Sequence, residues 1–245
     1  MKRQSLLVAA ASALAALAGP ATAFAAGDST LAAREALYGE VPLAEFAAGG
    51  QAAYPWTSLR AAASAIAAGD HARATPLLVR VATDAHLEPL KRLEAWTALR
   101  QLGVLPTVSV AGKLEGVLVD VVMTSGRDTL AVYADKSAVY INQSGRSISL
   151  LPGTALVPQI DAVLAAGRVS QRRIGPWMRA QVPPLPYSGG ARLAILTAWG
   201  LSFGQGPIDN LARDPRSAQA FNAANALLQA IIARANAPAA GTVRG

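Results

Sequence analysis

A chain of 245 residues without a single cysteine has no disulfide framework, so its stability must come from a buried core, and 52% hydrophobic residues can supply one. Two separated histidines and no cysteine leave no zinc-ligand spacing. The formal charge of +7 is a mild basic excess that favours an anionic surface without identifying a partner.

The chain opens on Met1-Lys2-Arg3, followed by an uncharged apolar run from Leu6 to Leu17, the helix breaker Gly19-Pro20 and the small-x-small triplet Ala21-Thr22-Ala23. Residues 1–23 therefore read as a cleavable secretory signal peptide, with a cut after Ala25 as the neighbouring choice. The apolar run is too short to cross roughly 30 Å of hydrocarbon, and no later stretch is long and apolar enough to do so. Lys-Arg in place of a twin arginine favours the general secretory route, and the absence of cysteine removes lipid attachment at a processed N-terminus. The expected destination is the periplasm or the exterior. Cleavage leaves 20 basic and 15 acidic residues, a net charge of +5.

Residues 24–107 read as a helical region. Ser58 to Ala68 is an alanine-rich helix, Gly69-Asp70 a turn, and His71 to Thr83 a helix with Leu77, Leu78 and Val81 on one side. Glu88 to Leu102 carries Leu90, Leu93, Trp96, Leu99 and Leu102 at steps of three. Such residues drift around the helix, as expected of a helix sandwiched between neighbours. From Leu59 to Pro89 the chain resembles one tetratricopeptide repeat, through the alanines of the first helix, Gly69-Asp70, Ala74 and Pro89. It lacks the tryptophan and tyrosine of that family's first helix. One and a half repeats are too few for an array, so the reading is a helical hairpin docked onto something else.

Residues 108–236 read as an antiparallel α+β domain, and 237–245 as a disordered tail. Strands are expected at Glu115–Met123, Thr129–Ala134 and Ala138–Asn142, with a short fourth at Ser147–Leu151. A helix over Ala155–Ala166 is expected to stop at Gly167. The Pro-rich stretch Val182–Tyr187 is a stiff connector. A hairpin follows over Arg192–Ala198 and Leu201–Gly206, turning at Trp199-Gly200, and the last helix covers about Arg216–Ala235. The segment from Leu130 through Tyr133 to Ala138-Val-Tyr-Ile-Asn-Gln-Ser-Gly-Arg146 is similar to a set of uncharacterised bacterial proteins. That resemblance implies a shared fold and carries no activity or catalytic residues.

If Ser125-Gly126 and Asp135-Lys136 are both two-residue turns, Val117, Val119, Val121, Met123, Leu130, Val132, Val139 and Ile141 share one aliphatic face that helices must cover. The opposite, mixed face then carries Leu118, Asp120, Val122, Ala131, Tyr133, Tyr140 and Asn142. Asp120, Tyr133, Tyr140 and Asn142 are one candidate binding surface. The competing reading places this face under the N-terminal helices, with Asp120 paired to an arginine and the tyrosine hydroxyls at the rim.

Gly200-Leu201-Ser202-Phe203-Gly204 matches a nucleophile elbow, but Gly206-Pro207 suits a strand end better than a helix start. Both histidines, His71 and His86, precede the serine. No phosphate-binding glycine loop is present. Asp/Glu pairs such as Asp120 with Asp128 or Glu115 keep an envelope-directed hydrolase open as the alternative. The clearest charge feature is the stretch between Asp161 and Asp209, which holds no carboxylate but contains Arg168, Arg172, Arg173, Trp177, Arg179 and Arg192. Arginines beside an aromatic ring hold anionic groups and stack on flat ligands. The expectation is an exported, non-enzymatic binding protein with no catalytic residues, metal or cofactor, and no nucleic acid as partner. Its partner would be another envelope protein or an anionic ligand held by Arg168, Arg172, Arg173, Trp177 and Arg179.

Overall fold

The computed structural model describes residues 28–179 and 182–236; the expected signal peptide and the expected disordered tail lie outside the described residues. Helices α1 (Asp28–Ala36), α2 (Leu43–Ala48), α3 (Trp56–Ala67), α4 (His71–Thr83), α5 (Pro89–Gln101) and the single turn α6 (Val108–Ala111) come first. Strands β1 (Leu114–Met123), β2 (Gly126–Tyr133), β3 (Ala138–Ile141) and β4 (Ser147–Leu150) follow. They lead to α7 (Val157–Ile174), β5 (Gly190–Thr197), β6 (Gly200–Pro207), α8 (Ile208–Leu211) and α9 (Ala218–Asn236). The strands form one antiparallel sheet in the order β4-β3-β2-β1-β5-β6, giving an α+β fold.

Alternation along the strands builds two cores. Val117, Val119 and Val121 of β1 lie with Leu130 and Val132 of β2 and Leu193 and Ile195 of β5. α7 and α9 cover them with Ile160, Val163, Phe221, Leu228 and Ile231. The other face presents Leu118, Ala131, Tyr133, Ala194 and Leu196 to Leu37, Tyr38 and Leu93 of the helical region. All eight residues of β5 are buried, as befits a central strand covered on both sides. Separately, Leu59, Leu78, Val81, Trp96 and Leu99 pack among the alanines of α3, α4 and α5, with Ala198 from the β5–β6 turn. α5 thus contributes both to this helical core and to the core under the Asp120 face, which is why its apolar residues wrap around it.

Four local expectations shift. β1 and β2 turn at Thr124-Ser125, with Met123 opposite Gly126, so the pairing shifts by two residues and the faces survive. Between β2 and β3 the loop has three residues: Tyr133 N–H donates to Ser137 O (2.9 Å), and Lys136 takes the left-handed conformation at φ 69°. Leu130 therefore pairs with Tyr140, and β3 is turned over. Ala138 and Tyr140 join the α7–α9 core, while Val139 and Ile141 lie on the Asp120 face. Finally, α7 does not stop at Gly167 but runs to Ile174 and ends at Gly175, φ 72°. Gly167 is buried against β1, where a Cβ would stand 2.5 Å from Val117 Cγ2. The missing side chain serves close helix–sheet approach, not termination. The β5–β6 turn is Ala198-Trp199, one residue earlier than expected.

Candidate functional site

The first candidate surface is a buried polar layer under the N-terminal helices. Asp120, fully buried at 0% exposure, interrupts β1 between Thr129 of β2 and Arg192 of β5. Its Oδ1 accepts from Thr129 Oγ1 (2.6 Å) and stands 3.6 Å from Arg127 Nε, and its Oδ2 accepts from the Tyr38 hydroxyl. Burial, then the adjacent Asp120 charge, push the Tyr38 phenol well above its ordinary range, so Tyr38 stays a proton donor. Arg34, one helical turn before Tyr38, gives Nη2 to the carbonyls of Asn142 (2.6 Å) and Arg127 (2.7 Å) and pins α1 to the sheet. Arg192 turns away from Asp120: it donates to Gln205 Oε1 through Nε (2.9 Å) and Nη2 (2.6 Å), and also reaches Pro183 O.

The tyrosines do not converge with Asp120 as a binding surface. Tyr133 is on its face, but its hydroxyl is buried and donates to Leu37 O (2.7 Å) instead of lying at a rim. Tyr140 is on the other face, where it donates to Asp128 Oδ2 (3.0 Å). Burial raises the pKa of Asp128, partly opposed by the bonds from Tyr140 and Gln143 N–H. Asn142 shapes a turn: its Oδ1 accepts from Ser144 N, Ser144 Oγ and Arg146 N. Asp120, Tyr133, Tyr140 and Asn142 thus hold the architecture together. The arginine whose side chain approaches Asp120 is Arg127, a residue the sequence reading did not single out. Arg34 and Tyr38, spaced four apart, both reach the sheet from α1 and the turn after it, and no local pattern in the sequence ties them to Asp120.

The second candidate surface is a cleft of about 310 Å³ between the end of α7, β6, and α8 with the loop that leads from it to α9. Gly175-Pro176 ends α7 and turns the chain along β6, where Trp177 N–H donates to Leu201 O (2.8 Å). The Trp177 ring lies against Phe203, centroids 4.8 Å apart, and Arg179 stands 5.4 Å from the Trp177 centroid. Ile174, Pro176 and Leu211 complete the apolar lining; Gln205, Asp214, Arg216 and Ser217 supply the polar part. Met178, Val182 and Tyr187, in the segment that follows Trp177, are exposed large apolar residues.

The arginines converge only in part. Arg168 and Arg172 are exposed one turn apart on α7, while Arg173 donates to Pro215 O beside the cleft. The gap in acidic residues is closed by the fold: Asp214 enters the cleft and binds Arg216 through Nε (3.1 Å) and Nη2 (2.8 Å). Those bonds hold its carboxyl down at about 2. Ser202 sits in mid-strand, 3% exposed and paired with Ile195, not at a strand-to-helix elbow. Among the described residues no group of three or more His, Asp or Glu side chains is placed to hold a metal, and no helix is long and apolar enough to cross a membrane.

Fold and sites together define an α+β protein with one six-stranded antiparallel sheet and helical elements against both of its faces. No protein-family model, curated protein or solved structure matches the chain.

Proposed function

We propose that this is an exported, non-enzymatic binding protein that engages an anionic partner through the Trp177 cleft and the arginines of α7. The observation that carries the reading is the aromatic pair Trp177–Phe203, held at a roughly 310 Å³ cleft with Arg179 beside the indole and exposed apolar residues following it. Clefts of about 300–1,000 Å³ suit small ligands or one anchoring group of a larger partner. The lining offers aromatic and aliphatic contact, and its polar groups Gln205 and Arg216 already have partners. An apolar or planar group would therefore fill the cleft while Arg168 and Arg172 meet negative charge outside it.

The hydrolase alternative needs two carboxylates that substrate can reach. Asp120 has both oxygens engaged, Asp128 accepts from the Tyr140 hydroxyl and Gln143 N–H, and Glu115 is buried against Arg92. These engagements favour binding over hydrolysis. Export rests on the sequence of residues 1–23; protein recovered from cells should begin at Phe24 or Ala26.

The test is binding to phosphatidylglycerol vesicles, with phosphatidylcholine vesicles as the uncharged control, at low and high salt. Arg168→Gln with Arg172→Gln should weaken binding by roughly thirtyfold at low salt, because each of the two surface cations near an anionic membrane contributes about 1 kcal/mol. Trp177→Ala should weaken binding at both salt concentrations. Equal binding of wild type and the arginine variant, or binding indifferent to salt, would remove the anionic partner from the reading.

A further inference from the structure

Residues 37–41 form a strap between α1 and α2 that is tied at almost every residue. Leu37 O accepts from the Tyr133 hydroxyl (2.7 Å), and the Tyr38 hydroxyl donates to Asp120. Gly39 O accepts from Thr97 Oγ1 (2.7 Å), and Val41 N–H donates to Glu94 Oε1 (3.2 Å). Gly39, φ 69°, presses so closely on α5 that a Cβ would stand 2.6 Å from Leu93 Cβ. The last tie differs from the others. Glu94 is 1% exposed, and its Oε2 has no hydrogen-bond partner among the described residues. A buried carboxylate with one long bond and a bare oxygen is costly, whereas the neutral acid is tolerated there.

We propose that Glu94 is a proton-controlled latch: as the neutral acid it holds the 37–41 strap closed over the Asp120 layer, and as the carboxylate it loosens the strap.

The groups around it support this direction. Burial raises Glu94, the Val41 N–H opposes that, and Glu40, on the strap itself, adds a like charge; together they bring it to about 7. The neighbouring cations are engaged elsewhere. On α5, Arg92 is bound to Glu115 of β1, and Arg100 donates to Ala198 O (2.8 Å) and Thr97 Oγ1 (2.9 Å) while its charge acts on Glu40. On β2, Arg127 pairs with Glu35 of α1 (3.1 Å), and Tyr133 is committed to Leu37 O. Glu45 of α2 is exposed to solvent. The closed strap therefore binds a proton that the open strap has lost over the interval from the ordinary 4.5 to about 7. Closure is strongest at the acidic end of that interval and is progressively lost as pH rises through it.

Hydrogen exchange of the mature protein, read by mass spectrometry on peptides covering residues 37–41 and corrected for intrinsic rates, tests this. Protection in wild type should fall by roughly thirtyfold between pH 5.5 and 8.5, since each unit of pKa displacement acted on by pH is a factor of ten and about 1.5 units lie in that window. Glu94→Gln, which keeps the acceptor without the charge, should keep its acid-side protection throughout. Glu40→Gln, an exposed change that leaves the strap's bonds in place, should move the midpoint to lower pH. A flat wild-type profile, an equal fall in Glu94→Gln, or an unmoved midpoint in Glu40→Gln would each overturn the latch.

Discussion

Tyr38 and Thr129 divide the two oxygens of Asp120 between them, and this division decides what a single substitution does. Tyr38→Phe keeps the ring among Leu37, Leu93 and Leu118 but leaves Oδ2 of a fully buried carboxylate without its donor. An unsatisfied buried polar group costs about 1–3 kcal/mol, with charged groups at the upper end. Tyr133→Phe instead deprives the neutral carbonyl of Leu37, which has a lighter penalty. Urea denaturation should therefore rank Tyr38→Phe below Tyr133→Phe and both below wild type. A Tyr38→Phe protein as stable as wild type would mean that water replaces the phenol at Asp120. Asp120 itself was legible in the sequence, because a carboxylate in the middle of an apolar strand demands a partner. Which partner was not, since Tyr38 lies in another element 82 residues away.

The elements show where sequence rules hold and where packing overrules them. The helix over His71–Thr83 follows from the Asp70 cap, whose side chain accepts from Arg73 N–H (3.0 Å), together with its apolar side. The strands follow from alternation. The face of β3 could not be read, because it depends on one extra loop residue and on Lys136 occupying a left-handed position that usually advertises itself with glycine or asparagine. Gly167 misled in the opposite sense: glycine signals a helix end, yet here it lets α7 lie against Val117. The misplacement carried over to the arginines, because ending the helix there frees Arg172 and Arg173 to turn together. On the real helix only Arg168 and Arg172 share a stripe. Gly167→Ala measures the conflict. Helix propensity gains up to about 1 kcal/mol, whereas overpacking typically costs about 1–3 kcal/mol. The expected net result is a loss of stability in thermal and urea unfolding, smaller when Val117→Ala is present to make room. A gain in stability from Gly167→Ala alone would show that α7 can shift outward without penalty.

Across the whole molecule, the helical region and the sheet meet through α5, and the joint contains a buried ion pair. The register of β1 slips between Leu114 and Gly116, and this bulge carries Glu115, whose carboxylate accepts from Arg92 Nη2 and Nε, the latter at 3.3 Å. Arg92 also donates through Nη1 to Leu87 O at the base of α5. The side chains are only 7% and 2% exposed, so neither charge has water to fall back on. Glu115→Gln leaves the guanidinium buried without its counter-charge, a change that costs about 3–5 kcal/mol where such pairs have been broken. Replacing both members, Arg92→Met with Glu115→Leu, removes two desolvation penalties along with the attraction, and such swaps are often neutral or stabilising by about 1–4 kcal/mol. The single variant should therefore unfold well before the wild type and the double variant at or above it, a reversal that loss of packing alone does not produce. Because α5 also carries Leu93 against the sheet and Trp96 and Leu99 in the helical core, loosening the joint reaches both cores. Tryptophan fluorescence, to which Trp56 and Trp96 of the helical core contribute, and far-UV circular dichroism, which reports the whole backbone, should move together in the single variant. A double variant as unstable as Glu115→Gln would mean that the pair's hydrogen-bonded shape, and not its charge, holds the two parts together.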